Sequence, residues 1–276
     1  MLITVLSQNL QFGAAADGRL PGLYDIVREA KPDLVLLQEA DDLGDPEIRE
    51  QAAEAMGMEI ELAPSLNLPV AVAWNPRVLT KTGVETKYWN VMHHGYCAVR
   101  FEIPGLATPL PVPLVVISTH LTPYSADLAA GEASLLAARL YRFGGAGILA
   151  GDINHCTFDD PEPDWTQVPP YNRASRCLRR LGDEPWRSNR VVGQTLRDAD
   201  LTDVAAYLAE GRGDMTLRAP TGKAGLVRVD QAHVTPALVP TIRDYRTLES
   251  DLSDHHGLIA TFALDAFDAS RVLQYT

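Results

Sequence analysis

The sequence predicts an α/β fold. Three observations carry that expectation: the first third alternates strand and helix patterns, the middle sets one amphipathic helix between apolar strands, and the last third returns to strands. In order, the residues from Leu2 to Asn9 read as a buried strand, those from Pro21 to Ala30 as a helix with Leu23, Ile26, Val27 and Ala30 on one stripe, and those from Asp33 to Gln38 as a short apolar strand. A second helix is expected from Pro46 to Met56, then strands from Glu59 to Leu62 and from Val70 to Trp74. The middle adds strands from Tyr96 to Ile103 and Leu114 to Thr119. A helix follows from Ala126 to Arg142, with Leu128, Leu135, Leu136 and Leu140 at helical spacing, Ser125 as N-cap and Gly144-Gly145 as stop. Ala146 to Ala150 forms the next strand. Strands are then expected from Leu226 to Val229, His233 to Thr235, Ile242 to Thr247 and Leu258 to Leu264.

The 276 residues fit one large layered domain, with a long surface excursion around 155–193 that holds a short helix from Ala174 to Leu181. A formal net charge of −12, from 24 basic against 36 acidic side chains, disfavours non-specific binding of polyanions and favours a small phosphorylated or nucleotide substrate over nucleic acid. Cys97, Cys156 and Cys177 are scattered and odd in number, which argues against a disulfide framework or a zinc knuckle. With no basic leader at the N-terminus and no apolar run of spanning length, a cytoplasmic location is expected and a membrane span is not.

Polar residues stand where apolar strands start or stop. Gln8-Asn9, Gln38-Glu39, Thr119-His120, Asp152 with Asn154, Asp230, and Asp254-His255 all share this habit. Taken alone, Gly151-Asp152-Ile153-Asn154 reads either as a turn or as an acid and an amide on one face of a continuing strand. Taken together, the six positions suggest one site at one edge of stacked sheets. Up to four carboxylates there, from Glu39, Asp152, Asp230 and Asp254, call for a hard divalent cation, Mg²⁺, Mn²⁺ or Ca²⁺. His120 and His255 add groups that exchange protons near neutral pH. Carboxylates, a hard metal and histidines suit phosphoester hydrolysis by an activated water.

The motifs SQNLQ at 7–11, LLQEA at 36–40, STHL at 118–121, GDIN at 151–154, RVDQAHV at 228–234 and SDHHGL at 253–258 resemble, in the same order, those of the endonuclease/exonuclease/phosphatase superfamily, which includes deoxyribonuclease I. The resemblance implies a four-layered α/β sandwich, two mixed β-sheets face to face with helices outside. It implies Glu39 as principal Mg²⁺ ligand with Asn9 close by and Asp254 as a further ligand. Asp152 and Asn154 become the water-orienting and phosphate-binding pair, with Asp152 or His255 as base. Asp230 becomes the partner of His255, and His120 the phosphate contact that serves the leaving oxygen. Gln231 stands where the family carries an aromatic, and Ile153 where Phe is common; His256 is expected to pack or face solvent.

Two further groups have open readings. His93-His94, within the aromatic stretch from Tyr88 to Tyr96, is either a substrate rim or a surface loop with packed aromatics; Arg173, Arg176 and Arg180, with Arg179, Arg187 and Arg190 nearby, form either a phosphate-receiving helix face or a solvated one. Three functions are therefore weighed: a Mg²⁺-dependent phosphodiesterase or phosphatase, a DNA or RNA nuclease with the same chemistry, and a non-catalytic binding module on the same fold. Selectivity is expected in the loops 64–69, 88–96 and 155–193.

Overall fold

The computed structural model of the chain describes residues 1–223 and 226–273. Two mixed six-stranded sheets lie face to face. The strands, in chain order, are β1 (Leu2–Asn9), β2 (Leu34–Gln38), β3 (Glu59–Leu62), β4 (Ala71–Trp74), β5 (Thr80–Glu85), β6 (Tyr96–Glu102), β7 (Leu114–His120), β8 (Gly147–Asp152), β9 (Thr202–Asp203), β10 (Asp230–Val234), β11 (Ile242–Leu248) and β12 (Gly257–Ala263). One sheet runs β11-β12-β1-β2-β4-β3 and the other β5-β6-β7-β8-β10-β9.

The central strands are apolar on both faces because both faces are covered. In β2, Leu34 and Leu36 enter the core between the sheets, where they meet Val99, Phe101, Val116 and Ile148, while Val35 and Leu37 point the other way. Those outward side chains are covered by α1 (Leu20–Ala30) and α2 (Pro46–Met56). On the far sheet, Val115, Ile117 and Leu149 are covered by α3 (Ala126–Tyr141), and Val192 and Leu196 of a later helix join them. Two further helices flank that one in chain order: α4 (Pro170–Arg176) precedes α5 (Val191–Asp198), and α6 (Val204–Arg212) packs Val204 and Leu208 into the inter-sheet core. The result is the four-layered α/β sandwich.

One buried polar chain crosses the inter-sheet core. Ser7 Oγ donates to Gln38 Oε1 at 3.3 Å, Gln38 Nε2 donates to Ser118 Oγ at 3.1 Å, and Ser118 Oγ donates to the Leu37 carbonyl at 3.0 Å. It joins β1 and β2 of one sheet to β7 of the other.

Register puts the polar strand ends side by side. β7 and β8 are parallel with His120 opposite Asp152, and β8 and β10 are antiparallel with Asp152 opposite Asp230, so three adjacent strands form one polar row. In the other sheet β1 and β2 are parallel with Asn9 opposite Gln38, and β12, antiparallel to β1, starts at the same edge just after His255.

Several expected elements differ. No strand covers Leu226 to Val229: Leu226 takes a φ of 49°, and the amides of both Val229 and Asp230 donate to Thr221 Oγ1, so the segment folds back on residue 221 before β10 begins at Asp230. Asp230 therefore starts its strand rather than following one, and the expected strand from His233 is the second half of β10. The short helix lies at Pro170–Arg176 rather than from Ala174 to Leu181, because proline at its first turn sets the start. Arg180 lies beyond it and packs over the Trp186 ring at 4.0 Å, so the expected arginine face does not exist. In α3, Leu128 is exposed, and Ala126, Ala129, Ala133, Leu136, Ala137 and Leu140 form the buried stripe. Ser125 caps this helix as expected, accepting from the Leu128 amide.

Candidate active site

Across the sheet edge, side chains from both sheets line a cleft of about 390 Å³. Glu39, His120, Asp152, Asn154, Asp254 and His255 open into it, while Asn9 and Asp230 stand directly behind. All eight residues singled out in the sequence therefore converge. Asp254 is the loosest of them: it is exposed, and among the described residues its carboxylate accepts only from Ser253 Oγ, at 3.3 Å.

Asn9 bridges the sheets. Its Nδ2 donates to Glu39 Oε1 at 3.1 Å and to Asp152 Oδ2 at 3.2 Å, drawing two carboxylates from different sheets to one nitrogen. The other oxygen of Glu39 accepts from the Phe12 amide at 2.8 Å. Burial pushes the Glu39 carboxyl above its ordinary range, against the pull of the Phe12 amide and Asn9, and the Asp152 carboxylate pushes it further the same way. Carboxylate oxygens crowded in this way fit a hard divalent cation, with Glu39 able to hold it. Asn9, expected with it at the metal, instead turns its Nδ2 to the two carboxylates while its Oδ1 accepts from the Gln11 amide at 2.8 Å, so it positions Glu39. A second grouping, Asp152, Asp230 and His255, also brings ligand atoms within 4.8 Å, but His255 Nδ1 is already committed to Asp230 Oδ2 at 2.9 Å.

That Asp230 contact fixes the orientation of the His255 ring and turns its Nε2 toward Asp152 Oδ2, 3.7 Å away. Although burial disfavours the charged ring, the carboxylates of Asp230 and Asp152 outweigh it and push His255 up to about 10. His120 Nε2 approaches the same Asp152 oxygen at 3.5 Å. Burial, then His255 and His93, push His120 down to about 3, so its ring is neutral.

Backbone geometry aims these groups. Glu39, Asn154 and Phe12 take φ values of 54°, 62° and 59°, so three of the seven non-glycine residues in the left-handed region among those described line this cleft. Gly151 permits the close approach of β7 and β8, since a Cβ there would sit 1.9 Å from the Thr119 carbonyl oxygen. Asn154 is held by four hydrogen bonds: its amide N–H donates to Asp152 Oδ1 at 2.9 Å, its Nδ2 donates to the Leu121 carbonyl at 3.0 Å, and Arg176 donates to its carbonyl and to its Oδ1 at 2.6 and 3.1 Å.

Sequence reasoning missed several members. Arg176 appeared only within an arginine cluster, yet it is buried behind Asn154. His94 is buried and stacks on His120 with ring centroids 3.8 Å apart, so the stretch from Tyr88 to Tyr96 contributes this ring to the cleft while Trp89 does not line it. Glu132 of α3 accepts from the amides of His93 at 2.6 Å and Thr122 at 2.8 Å, tying together the two segments that carry the stacked rings. Thr221 holds the start of β10 through its hydroxyl. Of these, the sequence had marked only His94, in the His93-His94 pair of an aromatic stretch, and Arg176, in an arginine cluster; Glu132 and Thr221 left no trace there. Gln231 replaces the family's aromatic with a polar contact set, donating to the His155 and Arg228 carbonyls and accepting from His233 Nε2. Arg228 is buried between Asp160 and Asp203, donating to both carboxylates at 2.7 to 3.1 Å and tying the 155–193 excursion to β9. His256 is half-buried and stays out of the cleft lining.

This sandwich shares its fold with solved structures that include an endonuclease/exonuclease/phosphatase from Beutenbergia cavernae (TM-score 0.59, 20% identity, covering 94% of this chain and 71% of that one). Among solved structures it is similar to TDP2 of D. rerio, humanized by 14 mutations (TM-score 0.63, 14% identity, covering 95% of this chain and 99% of that one). It is also similar to an AP endonuclease from Archaeoglobus fulgidus (TM-score 0.62, 15% identity, 94% and 99% covered). Another is a variant of the 3′ phosphatase NExo from Neisseria bound to product DNA hairpin (TM-score 0.61, 18% identity, 95% and 99% covered). No protein-family model matches the chain, and no curated protein matches it in sequence. No helix among the described residues is long and apolar enough to cross a membrane.

Proposed function

We propose that the chain is a divalent-metal-dependent phosphoester hydrolase, acting as one catalytic unit on a small phosphorylated or nucleotide substrate. The observation that carries this reading is the shared Asp152 carboxylate: one of its oxygens faces Asn9, His120 and His255 at 3.2, 3.5 and 3.7 Å, and the other holds Asn154. Similarity to structures of a 3′ phosphatase and an AP endonuclease supports the same class.

In this reading Glu39, positioned by the Asn9 amide, would hold Mg²⁺, with Mn²⁺ or Ca²⁺ as substitutes and Asp254 at the margin of the site. The bound cation supplies charge neutralisation at the phosphoryl oxygens. Asp152 orients the attacking water and takes its proton. Asn154, fixed by Arg176, presents its amide to a phosphoryl oxygen. His255, charged and aligned by Asp230, stabilises the negative charge that builds at phosphorus. Neutral His120 donates a hydrogen bond to the leaving oxygen, and the His94 stack holds its ring.

The test is turnover of bis-p-nitrophenyl phosphate with Mg²⁺. EDTA should abolish it, and Glu39→Gln, Asp152→Asn and His255→Ala should each lower it at least about 100-fold while circular dichroism stays that of the wild type. Wild-type rates in all three variants refute the site. Complete inactivity of the folded wild type toward phosphoesters would favour the binding-module reading, and efficient plasmid nicking at 200 mM salt would favour the nuclease.

A further inference from the structure

Exposed aromatic side chains are unevenly placed on this protein. Phe12, Tyr124 and Tyr171 are 71%, 74% and 68% exposed, and of the four exposed aromatics among the described residues only Tyr207 lies away from the candidate cleft. They come from three unrelated segments: the loop after β1, the loop before α3, and α4. Each is held in place by a separate device. Phe12 takes a φ of 59° with its amide bound to Glu39, so the residue beside the proposed metal ligand also presents its ring to solvent. Tyr124 meets His93 edge to face with centroids 5.2 Å apart. Tyr171 shares its short helix with Arg176, whose contacts to Asn154 anchor that helix.

Solvent-facing rings around a polar floor mark an interaction surface, and a flat group covers a whole ring face at once. The floor is built for a phosphoester, so the covering group is attached to that phosphate. Long nucleic acid is a poor fit to a chain of net charge −12, and a stacked duplex hides the faces of its bases. An unpaired base offers a π-face to a ring whatever its identity.

We propose that the rim is a base-stacking site, so that the substrate class of this cleft is a phosphoester carrying an unpaired nucleobase: a mononucleotide derivative or a short single-stranded end. The inference rests on the hydrolase reading for the position of the phosphate, and its test is a binding measurement that separates the two.

The probes are adenosine 5′-monophosphate and ribose 5-phosphate, which differ by the base alone, titrated calorimetrically with Mg²⁺ present. The wild type should bind the nucleotide at least tenfold more tightly. In Tyr124→Ala and Tyr171→Ala that preference should fall fivefold or more, and in Tyr207→Ala it should persist. All three positions are exposed, so folding survives the changes. Equal binding of the two probes, or a preference unmoved by both cleft variants, overturns the proposal even if phosphoester turnover is observed. A preference that responds to the tyrosines supports it even if no turnover is found, in which case the hydrolase reading alone fails. Sedimentation with phosphatidylcholine vesicles that is lost in Tyr124→Ser would assign the rim to a lipid surface and overturn it as well.

Discussion

The imidazoles of His94 and His120 lie parallel, 3.8 Å between centroids and 10° between planes. Both are neutral: burial, with His120 and His93 adding to it, pushes His94 down to about 2, and His120 is held low in the same way. Stacking of two neutral rings fixes the plane of His120 without placing a charge beside its donor. His94→Ala should therefore lower kcat about tenfold, equivalent to about 1.4 kcal/mol of barrier, and His94→Phe should recover most of that loss because a flat ring remains. Steady-state kinetics on the two variants decides it; equal loss in both would mean that His94 acts through its nitrogens.

Glu132 acts at one remove from the cleft. Its two oxygens each hold one backbone amide, and those amides precede His94 and follow His120 in the chain by one and two residues. Glu132→Gln keeps one acceptor and turns an N–H toward the other amide, so kcat should drop several-fold with KM little changed. Glu132→Ala should in addition cost about 1–3 kcal/mol of stability, read by urea unfolding, because two buried amides lose their partner. A Gln variant with wild-type kcat would show that the carboxylate is needed for folding alone.

Acid sensitivity should centre on Asp203. Burial opposes its charge, but Arg228 and then His233 hold it down to about 2. A carboxyl with a folded value below its unfolded value of about 4 contributes stability that is complete above pH 4 and is lost as pH falls toward 2. Asp203→Asn should destabilise the protein by about 3 kcal/mol at pH 7, since Arg228 keeps its charge with one carboxylate fewer, and the gap to wild type should narrow between pH 4 and pH 2. Thermal melts across that range measure it; a gap independent of pH would remove Asp203 as the titrating group.

The central strands could be read in the sequence because burial on both faces writes them as apolar runs, and a polar residue ending such a run stands out. Asn9, Glu39, His120 and Asp152 stand out in this way, whereas Asp230 follows an apolar run that forms no strand. The strand Thr80–Glu85 escaped notice because it is a sheet edge with polar, exposed positions. Val204–Arg212 escaped because small alanines and Gly211 leave no clear stripe. Supporting residues were hidden for a different reason. Glu132 and Thr221 act on backbone amides, which carry no residue identity, and Arg176 finds Asn154 across 22 positions of chain. No local pattern encodes such contacts.

Ser7, Gln38 and Ser118 work as a dowel between the two sheets. Apolar faces tolerate slippage, since one methyl serves nearly as well as the next, whereas these few polar atoms have no substitute partners in the oily gap around them. Each partner abandoned by a shear would forfeit about 1–3 kcal/mol. The half of the cleft carried by each sheet is thus phase-locked to the other half, and admission of a ligand falls to the loops at the brim rather than to any breathing of the sandwich.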